Sequence, residues 1–411
     1  METRLADFIK HTPDGAEAES ILRKCVHCGF CTATCPTYQL LGDELDGPRG
    51  RIYLIKQVLE GAAATAKTQL HLDRCLTCRS CETTCPSGVH YSRLLDIGRA
   101  AVEKQVGRGA SASLERAALR KVIPQPSLFG PLLKFGQFVR PLLPAALKQK
   151  MPARTAPAKP WPQTLHARKM LVLDGCVQPS LSPATNAAAA RVLDRLDITL
   201  MRIAEAGCCG AVSFHLNAQD EALNAMRRNI DAWWPYITDG AEKIVITASG
   251  CGIMVKDYAH ALRHDAAYAE KAQRVSELAC DVSDVIIAEK ATLKKHLTPH
   301  ASRLTSKIAF HAPCTLQHGL KKKGAVEALL TELGFELTPV ADAHLCCGSA
   351  GTYSMLQPAL SNQLRDNKIS ALKHGAPQAI LTANIGCQSH LQSATALPVR
   401  HWIEALDDLL A

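Results

Sequence analysis

Two copies of one cysteine pattern lie in the first quarter of the chain, and they constrain the fold more than any other feature. The pattern is C-x2-C-x2-C-x3-C followed by proline, and it occurs over residues 25–36 and 75–86. Two-residue gaps let three successive sulfurs wrap one face of a metal–sulfide cube. The proline carries the fourth cysteine away from its own loop, toward the other run. The spacing therefore predicts two cubane iron–sulfur clusters that exchange their fourth ligands.

The pattern is typical of bacterial two-cluster ferredoxins and assigns eight thiolate ligands. We expect the first [4Fe–4S] cluster to be held by Cys25, Cys28, Cys31 and Cys85. We expect the second [4Fe–4S] cluster to be held by Cys75, Cys78, Cys81 and Cys35. Zinc sites usually pair two C-x2-C knuckles and need neither a third cysteine nor the proline. Disulfide scaffolds are typical of short secreted chains, so iron–sulfur ligation is favoured over both alternatives.

Composition narrows the class of protein. The chain has 411 residues and 17 cysteines without a secretory signal, which indicates reduced thiols in the cytosol. Aromatic residues make up 5% and no nucleic-acid motif occurs, so we expect no nucleic-acid partner. No apolar run reaches the roughly 18 residues that a membrane-spanning helix needs. The net charge of +9 is mild and favours a solvated surface, with attraction to an anionic membrane or acidic partner as the alternative.

A proline-rich stretch separates the two halves of the chain. Nine prolines fall between Ile123 and Pro162, which is typical of a linker. Yet residues 128–143 are distinctly apolar, and a pure spacer has no need of such side chains. We therefore expect this part to pack against a neighbouring domain or subunit. An interfacial membrane contact beside Lys134, Arg140, Lys148 and Lys150 is the alternative.

The second half of the chain is an internal repeat. KMLVLDGC at 169–176 corresponds to KIAFHAPC at 307–314, and the CCG at 208–210 corresponds to the CCG at 346–348. The interval from the lone cysteine to the cysteine pair is the same 32 residues in both copies. Short strand-like runs alternate with amphipathic helices, which indicates two parallel α/β units. The cysteines follow the strands, at the edge where such sheets place their sites.

Together these features predict an α+β / α/β architecture. We expect a mostly helical two-cluster ferredoxin-like domain at 1–107 and a helical, then Pro-rich linker at 108–165. Two duplicated α/β units follow, at 166–298 and 299–411. Glycines beside the cysteines allow close backbone approach, so that backbone N–H groups can bond to sulfur.

Each α/β unit resembles the cysteine-rich CCG domain of the heterodisulfide reductase and respiratory oxidoreductase families. The full motif there is C…CCG…C-x-x-C and can hold an iron–sulfur cluster, but the last cysteine is absent from both copies here. The candidates for one further iron–sulfur cluster are Cys176, Cys208, Cys209, Cys251, Cys314, Cys346, Cys347 and Cys387. A four-ligand cluster, a cluster shared between the units, and no cluster all stay open.

Histidines near these motifs are weaker candidates. His390 stands where the last cysteine is missing and is a candidate replacement ligand, as in Rieske centres. A polar surface or capping role is favoured for it, and equally for His311, His215 and His344. Cys280 has no motif partner and is interpreted as a core residue.

The complete layout resembles a family of iron–sulfur subunits of membrane-linked flavoprotein dehydrogenases, of the bacterial glycolate oxidase type. The stretches that carry the resemblance are CVHCGFCTATCPTY, DGPRGRIYLIK, CLTCRSCETTCPSGVHY, NIGCQSHL and PVRHWIEALDDLL. The resemblance implies a hetero-oligomer in which a partner flavoprotein oxidises glycolate to glyoxylate on FAD. This chain would then relay electrons toward quinone, peripheral on the cytoplasmic face of the inner membrane.

The chain itself lacks the residues for substrate oxidation. No strand–GxGxxG–helix fingerprint for flavin or nicotinamide occurs, and no acid/base constellation suits a hydroxy acid, so we expect no catalytic residue. Three alternatives stay open. They are a subunit of a related glycerol-3-phosphate or lactate dehydrogenase, a self-contained reductase like heterodisulfide reductase, and a non-catalytic scaffold.

Overall fold

The computed structural model describes residues 1–144, 148, 151–297 and 306–410. The described residues before 145 form helices joined by turns and loops, without a β-strand. Their α-helices are α1 (Asp7–Lys10), α2 (Pro13–Lys24), α3 (Pro36–Leu41), α4 (Pro48–Leu59), α5 (Ala66–Asp73), α6 (Ser80–Thr84), α7 (Tyr91–Val106), α8 (Ala110–Val122) and α9 (Pro126–Val139). Short 3-10 turns occupy Phe30–Thr32, Glu44–Asp46 and Arg140–Leu142.

Local chemistry explains where several of these helices begin. At α2, the Thr12 side chain accepts a hydrogen bond from the Gly15 N–H, and Pro13 takes the first helical position. At α5, Thr65 and Thr68 form a reciprocal capping box. Helix α2 ends one residue before Cys25 and α5 ends two residues before Cys75, so each helix leads directly into a cysteine loop.

The N-terminal core forms where α4 crosses α7. Ile55 of α4 is fully buried and faces Gly98 of α7, where a Cβ atom would lie 2.5 Å from the Ile55 Cγ1 atom. Gly98 thus permits close helix packing around Leu94 and Leu95, which are also fully buried. The sequence predicted helices over residues 52–60 and 91–106, and both are present, although α4 begins at Pro48, four residues before the expected start.

The first α/β unit contains four strands and nine described helices. The strands are β1 (Arg168–Val172), β2 (Ile198–Arg202), β3 (Ile244–Ile246) and β4 (Ala279–Asp281). The helices are α10 (Gln178–Leu181), α11 (Ala184–Asp194), α12 (Ala211–His215), α13 (Gln219–Thr238), α14 (Ser249–Lys256), α15 (Tyr258–Ala261), α16 (Ala269–Leu278), α17 (Val282–Ala288) and α18 (Lys290–Leu297).

The second α/β unit repeats this arrangement. Its strands are β5 (Lys307–His311), β6 (Glu336–Thr338), β7 (Ala379–Thr382) and β8 (Val399–His401). Its helices are α19 (Ala325–Glu332), α20 (Tyr353–Leu356), α21 (Pro358–Lys373), α22 (Ile385–Gln392) and α23 (Trp402–Leu410), with a π-helical turn at Thr315–Gly319. The expected boundary between residues 298 and 299 lies outside the described residues.

The two sheets have the same topology. Their strand orders are β2-β1-β3-β4 and β6-β5-β7-β8, and every pairing is parallel. The predicted duplication and the α+β / α/β class are therefore confirmed. The sequence predicted three strands per unit, and the structure adds the three-residue strands β4 and β8. Cys280 lies on β4, where it is partly buried and packs against the hydrophobic core that contains residues of both α/β units.

The two units share one hydrophobic core. Helix α23 of the second unit packs on α11 of the first, and Trp402 is fully buried there. Polar contacts frame this interface, because the Arg191 guanidinium pairs with the Asp407 carboxylate at 2.5 Å and Thr185 Oγ1 donates to Glu404 at 2.6 Å. The C-terminal helix thus joins both units into one body.

The Pro-rich segment is more ordered than a linker. Helix α9 forms within this segment, and Pro126 takes its first helical position. The helix lies close to the first α/β unit at Gly130, where a Cβ atom would lie 3.2 Å from Ser180 Oγ. Leu133 is buried, but Leu132, Phe135 and Phe138 are more than half exposed. These three side chains therefore do not pack against another described part of this chain, and the expected contact with a neighbouring subunit stays a prediction. No helix among the described residues is long and apolar enough to cross a membrane.

Candidate metal centres

The two N-terminal cysteine runs form loops with matching backbone geometry. His27 in the first loop and Thr77 in the second occupy the same position and have positive φ angles of 55° and 52°. Gly29 and Arg79 form a second matching pair, with φ angles of 84° and 60°. These left-handed residues curl each loop so that its first three cysteines face one direction. Only glycine adopts this geometry without strain, so Arg79 is the more constrained member.

Two cavities collect the eight predicted ligands. The first cavity is lined by Cys25, Cys28, Cys31 and Cys85, and the second by Cys35, Cys75 and Cys78. Cys81 lines both, and Pro48 and Tyr91 also belong to the shared wall. The fourth cysteine of each run therefore lies with the first three of the other, in the arrangement the sequence predicts. A set of four thiols around each cavity fits a [4Fe–4S] cluster.

The cavities differ in exposure. Cys28 of the first cavity is exposed, and its neighbours Val26 and Phe30 are 67% and 61% exposed. In the second cavity Cys35 and Cys81 are buried. Burial raises the pKa of Cys31 to about 11 and that of Cys78 well above its ordinary value. Thiols with raised pKa values need a compensating cation to become thiolates at neutral pH.

Arginines line both cavities, at residues 49 and 51. Arg49 borders the first cavity and pairs with the Glu44 carboxylate at 2.6 Å. Arg51 borders the second and is fully buried. Its guanidinium donates to Thr37 Oγ1 at 3.1 Å and to Asp46 Oδ1 at 3.3 Å. Burial alone would lower the pKa of Arg51. Cys75 and the other acidic groups around the guanidinium have the larger combined effect and raise this pKa.

The first CCG unit gathers four thiols at the carboxyl edge of its sheet. Cys176 follows β1, Cys208 and Cys209 follow β2, and Cys251 lies in α14 behind β3. Hydrogen bonds from the Cys176 and Cys209 thiols lower the pKa of Cys208 well below its ordinary value. The Gly210 N–H adds a donor 3.5 Å from Cys208 Sγ. This unit therefore stabilises one thiolate within a buried row of sulfurs.

The second CCG unit repeats this row of sulfurs. Cys314 and Cys346 have Sγ atoms 3.7 Å apart, and the Gly348 N–H donates to Cys346 Sγ at 3.4 Å. The predicted backbone N–H contacts to sulfur are thus confirmed at both CCG turns. Gly348 has a φ of 87°, and a Cβ atom there would lie 2.5 Å from the Ser361 carbonyl oxygen. The turn therefore requires glycine at this position.

One histidine, His311, is placed differently from expectation, whereas His390 is partly exposed and His215 is exposed. The Nε2 atom of His390 lies 3.1 Å from Ser361 Oγ. His311, expected to be a surface or capping residue, is instead 2% exposed. Its ligand atom lies with those of Cys347 and Cys387 in a group spanning at most 4.8 Å. The sequence named His311 as a candidate but favoured a surface or capping role; its place at a strand end, three residues before a motif cysteine, pointed to the site.

The N-terminal domain contacts both CCG units beside the second cavity. Cys78 packs against the hydrophobic cluster that contains Cys314 and Cys346 of the second unit. The Tyr353 hydroxyl donates to the Arg74 carbonyl at 3.2 Å in the same region. On the first unit, Asp257 accepts from Arg79 at 2.7 Å. The second cavity thus adjoins the cysteine row of the second unit, with Cys78 between them.

Fold and sites together define an iron–sulfur protein of the electron-transfer class, with a dicluster domain joined to a duplicated cysteine-rich domain. Residues 21–89 match the family "4Fe-4S dicluster domain", and residues 170–256 and 308–392 match the family "Cysteine-rich domain", or CCG. The chain belongs to the glycolate oxidase iron–sulfur subunit family.

Relatives of known sequence support this assignment. The chain is 58% identical to the "Glycolate oxidase iron-sulfur subunit" of Escherichia coli over 410 residues, which cover 100% of this chain and 99% of the relative. The chain is 27% identical to the "Probable glycolate oxidase iron-sulfur subunit" of Bacillus subtilis over 397 residues, which cover 90% of this chain and 88% of the relative. "Lactate utilization protein A" of Bacillus licheniformis is 30% identical over 44% of this chain and 72% of its own length.

Proposed function

We propose that this chain is the electron-transfer subunit of a glycolate-oxidising flavoprotein complex. The observation that carries the proposal is the pair of four-cysteine cavities with a shared wall at Cys81 and Tyr91. When bound, each [4Fe–4S] cluster accepts and releases one electron. Cys25, Cys28, Cys31 and Cys85 would hold the first cluster. Cys75, Cys78, Cys81 and Cys35 would hold the second.

The residues around the cavities set the direction of electron flow. Exposed Cys28, with Val26 and Phe30 beside it, suits contact with the FAD-containing subunit, so electrons enter at the first cavity. The second cavity is less exposed than the first and lies next to the second CCG unit. Arg49 and Arg51 offset negative charge at each cavity and raise the tendency to accept an electron. The relatives named as glycolate oxidase subunits favour glycolate over lactate as the partner's substrate.

The acceptor side is proposed to be a quinone at the cytoplasmic face of the inner membrane. Leu128, Leu132, Phe135 and Phe138 follow one another at helical spacing along α9 and are all exposed. Exposed Lys134 lies on the same helix. Apolar side chains with flanking cations suit a helix that lies in a membrane interface. This surface would keep the chain peripheral to the membrane.

Metal analysis and electron transfer test the proposal together. Anaerobically purified protein should contain about 8 Fe and as many sulfides for two cubanes, and about 12 Fe if the CCG half holds a further cluster. Cys81→Ser should abolish electron flow from the co-purified flavin subunit to quinone. Cys280→Ser changes a cysteine outside both cavities and should leave the flow unchanged. Zinc without sulfide, or unchanged flow in Cys81→Ser, would refute the proposal.

A further inference from the structure

His311 is a buried imidazole with an unused nitrogen. It ends strand β5, and it is 2% exposed. Its Nε2 atom has no hydrogen-bond partner within the described part of the chain. A buried polar atom left unpaired costs about 1–3 kcal/mol, so such an atom usually marks a bound water or ion.

Two thiols lie beside the His311 imidazole. The ligand atoms of His311, Cys347 and Cys387 lie within 4.8 Å of one another, and all three residues are buried. A tetrahedral zinc ion with bonds of about 2.3 Å to sulfur and about 2.0 Å to nitrogen separates its ligand atoms by roughly 3.5–3.8 Å. Separations of at most 4.8 Å lie within about 1.3 Å of that geometry. In a cubane each thiolate binds a different iron atom, so this compact group fits a single ion better.

Neighbouring residues orient the ligands as metal sites require. The Nδ1 atom of His311 lies 2.9 Å from Thr382 Oγ1, across the β5–β7 pairing. When Nδ1 donates its proton to Thr382, Nε2 presents its lone pair to the thiols. Metal-binding histidines are held in this way by a partner on their other nitrogen. The Asn384 side-chain amide also donates to Cys387 Sγ at 3.4 Å, which stabilises a thiolate there.

We propose that the second CCG unit binds one Zn²⁺ through His311 Nε2, Cys347 Sγ and Cys387 Sγ. On binding, each of the two thiols loses its proton to solvent as its zinc–sulfur bond forms, while the neutral imidazole donates its lone pair. The set of two sulfurs and one nitrogen matches the ligand preference of zinc and leaves a fourth position open. The first unit carries Leu173 where the second carries His311, so the two units differ in what they bind.

The experiment measures zinc and iron in the full chain by plasma mass spectrometry after anaerobic purification and dialysis against a chelator. We expect about one zinc per chain, with X-ray absorption showing nitrogen near 2.0 Å and sulfur near 2.3 Å. His311→Leu introduces the side chain that the first unit has at this position. It should lower the zinc content at least tenfold and leave iron unchanged.

Two further variants separate ligation from folding. His311→Cys supplies another zinc ligand and should restore the metal, with sulfur replacing nitrogen in the absorption spectrum. His390→Leu removes a nearby histidine whose Nε2 faces Ser361, and it should keep its zinc. Wild-type protein without zinc would overturn the proposal, as would zinc retained in His311→Leu, failure of His311→Cys to restore it, or a loss of iron in place of zinc.

Discussion

The Arg79 guanidinium donates a 2.7 Å hydrogen bond to the Asp257 carboxylate and joins the second cysteine loop to the first CCG unit. Arg93 of α7 donates to the other Asp257 oxygen at 2.6 Å. Arg79 also has a φ of 60°, in the position that glycine takes in the first loop. The ion pair thus holds a constrained loop residue against a neighbouring domain. This loop carries Cys78 and Cys81, so the contact also positions the second cavity.

Asp257→Asn should destabilise the protein by about 1–3 kcal/mol. The change leaves Arg79 and Arg93 facing each other without a carboxylate between them, and all three side chains are less than a fifth exposed. Partial exposure reduces the cost relative to a fully buried ion pair. Anaerobic denaturant unfolding measures the effect. Asp366→Asn removes a carboxylate that is 60% exposed and should change stability by less than about 0.5 kcal/mol. Equal effects of both substitutions would contradict the role assigned to Asp257.

The exposed face of α9 should control membrane binding. Phe135 and Phe138 are 66% and 70% exposed, so Phe135→Glu with Phe138→Glu removes apolar area and adds charge without disturbing the core. Sedimentation with anionic phospholipid vesicles should fall at least tenfold, because lost burial and added repulsion act together. Iron content should stay at the wild-type value. Loss of the flavin subunit with unchanged vesicle binding would instead assign this face to a protein partner.

The sequence predicted those parts of the fold that repeat or have fixed spacing. The cysteine runs at 25–36 and 75–86 predicted which thiols meet, because ligation geometry dictates that spacing. The duplicated strand ends likewise predicted both sheets. Strands β4 and β8 were not predicted because three residues are too short to establish a period of two and no motif cysteine follows them, whereas the equally short β3 and β6 precede motif cysteines. The sequence assigned His311 the wrong role, because a single histidine has no repeated spacing and its contact with Thr382 exists only once β5 and β7 pair.

Asp281 should make stability fall as the pH rises. Burial raises the pKa of this carboxyl from 3.8 to about 6, although hydrogen bonds from Ser283 oppose the shift. Between these values the folded state binds more protons than the unfolded state, so stability is greatest below pH 4 and is lost through about pH 6. Asp281→Asn keeps a good helix N-cap and removes the titration. From pH 5 to 7.5 the variant should gain about 1 kcal/mol relative to wild type.

Anaerobic denaturant unfolding at the two pH values measures this gain. Asp197→Asn changes a carboxylate that is 88% exposed, and its stability should follow that of the wild type at both pH values. A constant difference between Asp281→Asn and wild type across the pH range would show that Asp281 does not titrate in this window.

Gly348 should tolerate no side chain. Its φ of 87° disfavours any residue with a Cβ atom, and that atom would lie 2.5 Å from the Ser361 carbonyl oxygen. Gly348→Ala should therefore destabilise the protein by about 2–4 kcal/mol, from backbone strain and a clash with main chain that cannot rotate away. It should also displace the N–H group that donates to Cys346 Sγ.

Gly351→Ala is the matched control, because Gly351 has a φ of 61° but open space around the added atom. The control should lose only about 1 kcal/mol. Denaturant midpoints separate the two effects, and equal losses would show that the clash with Ser361 is relieved elsewhere.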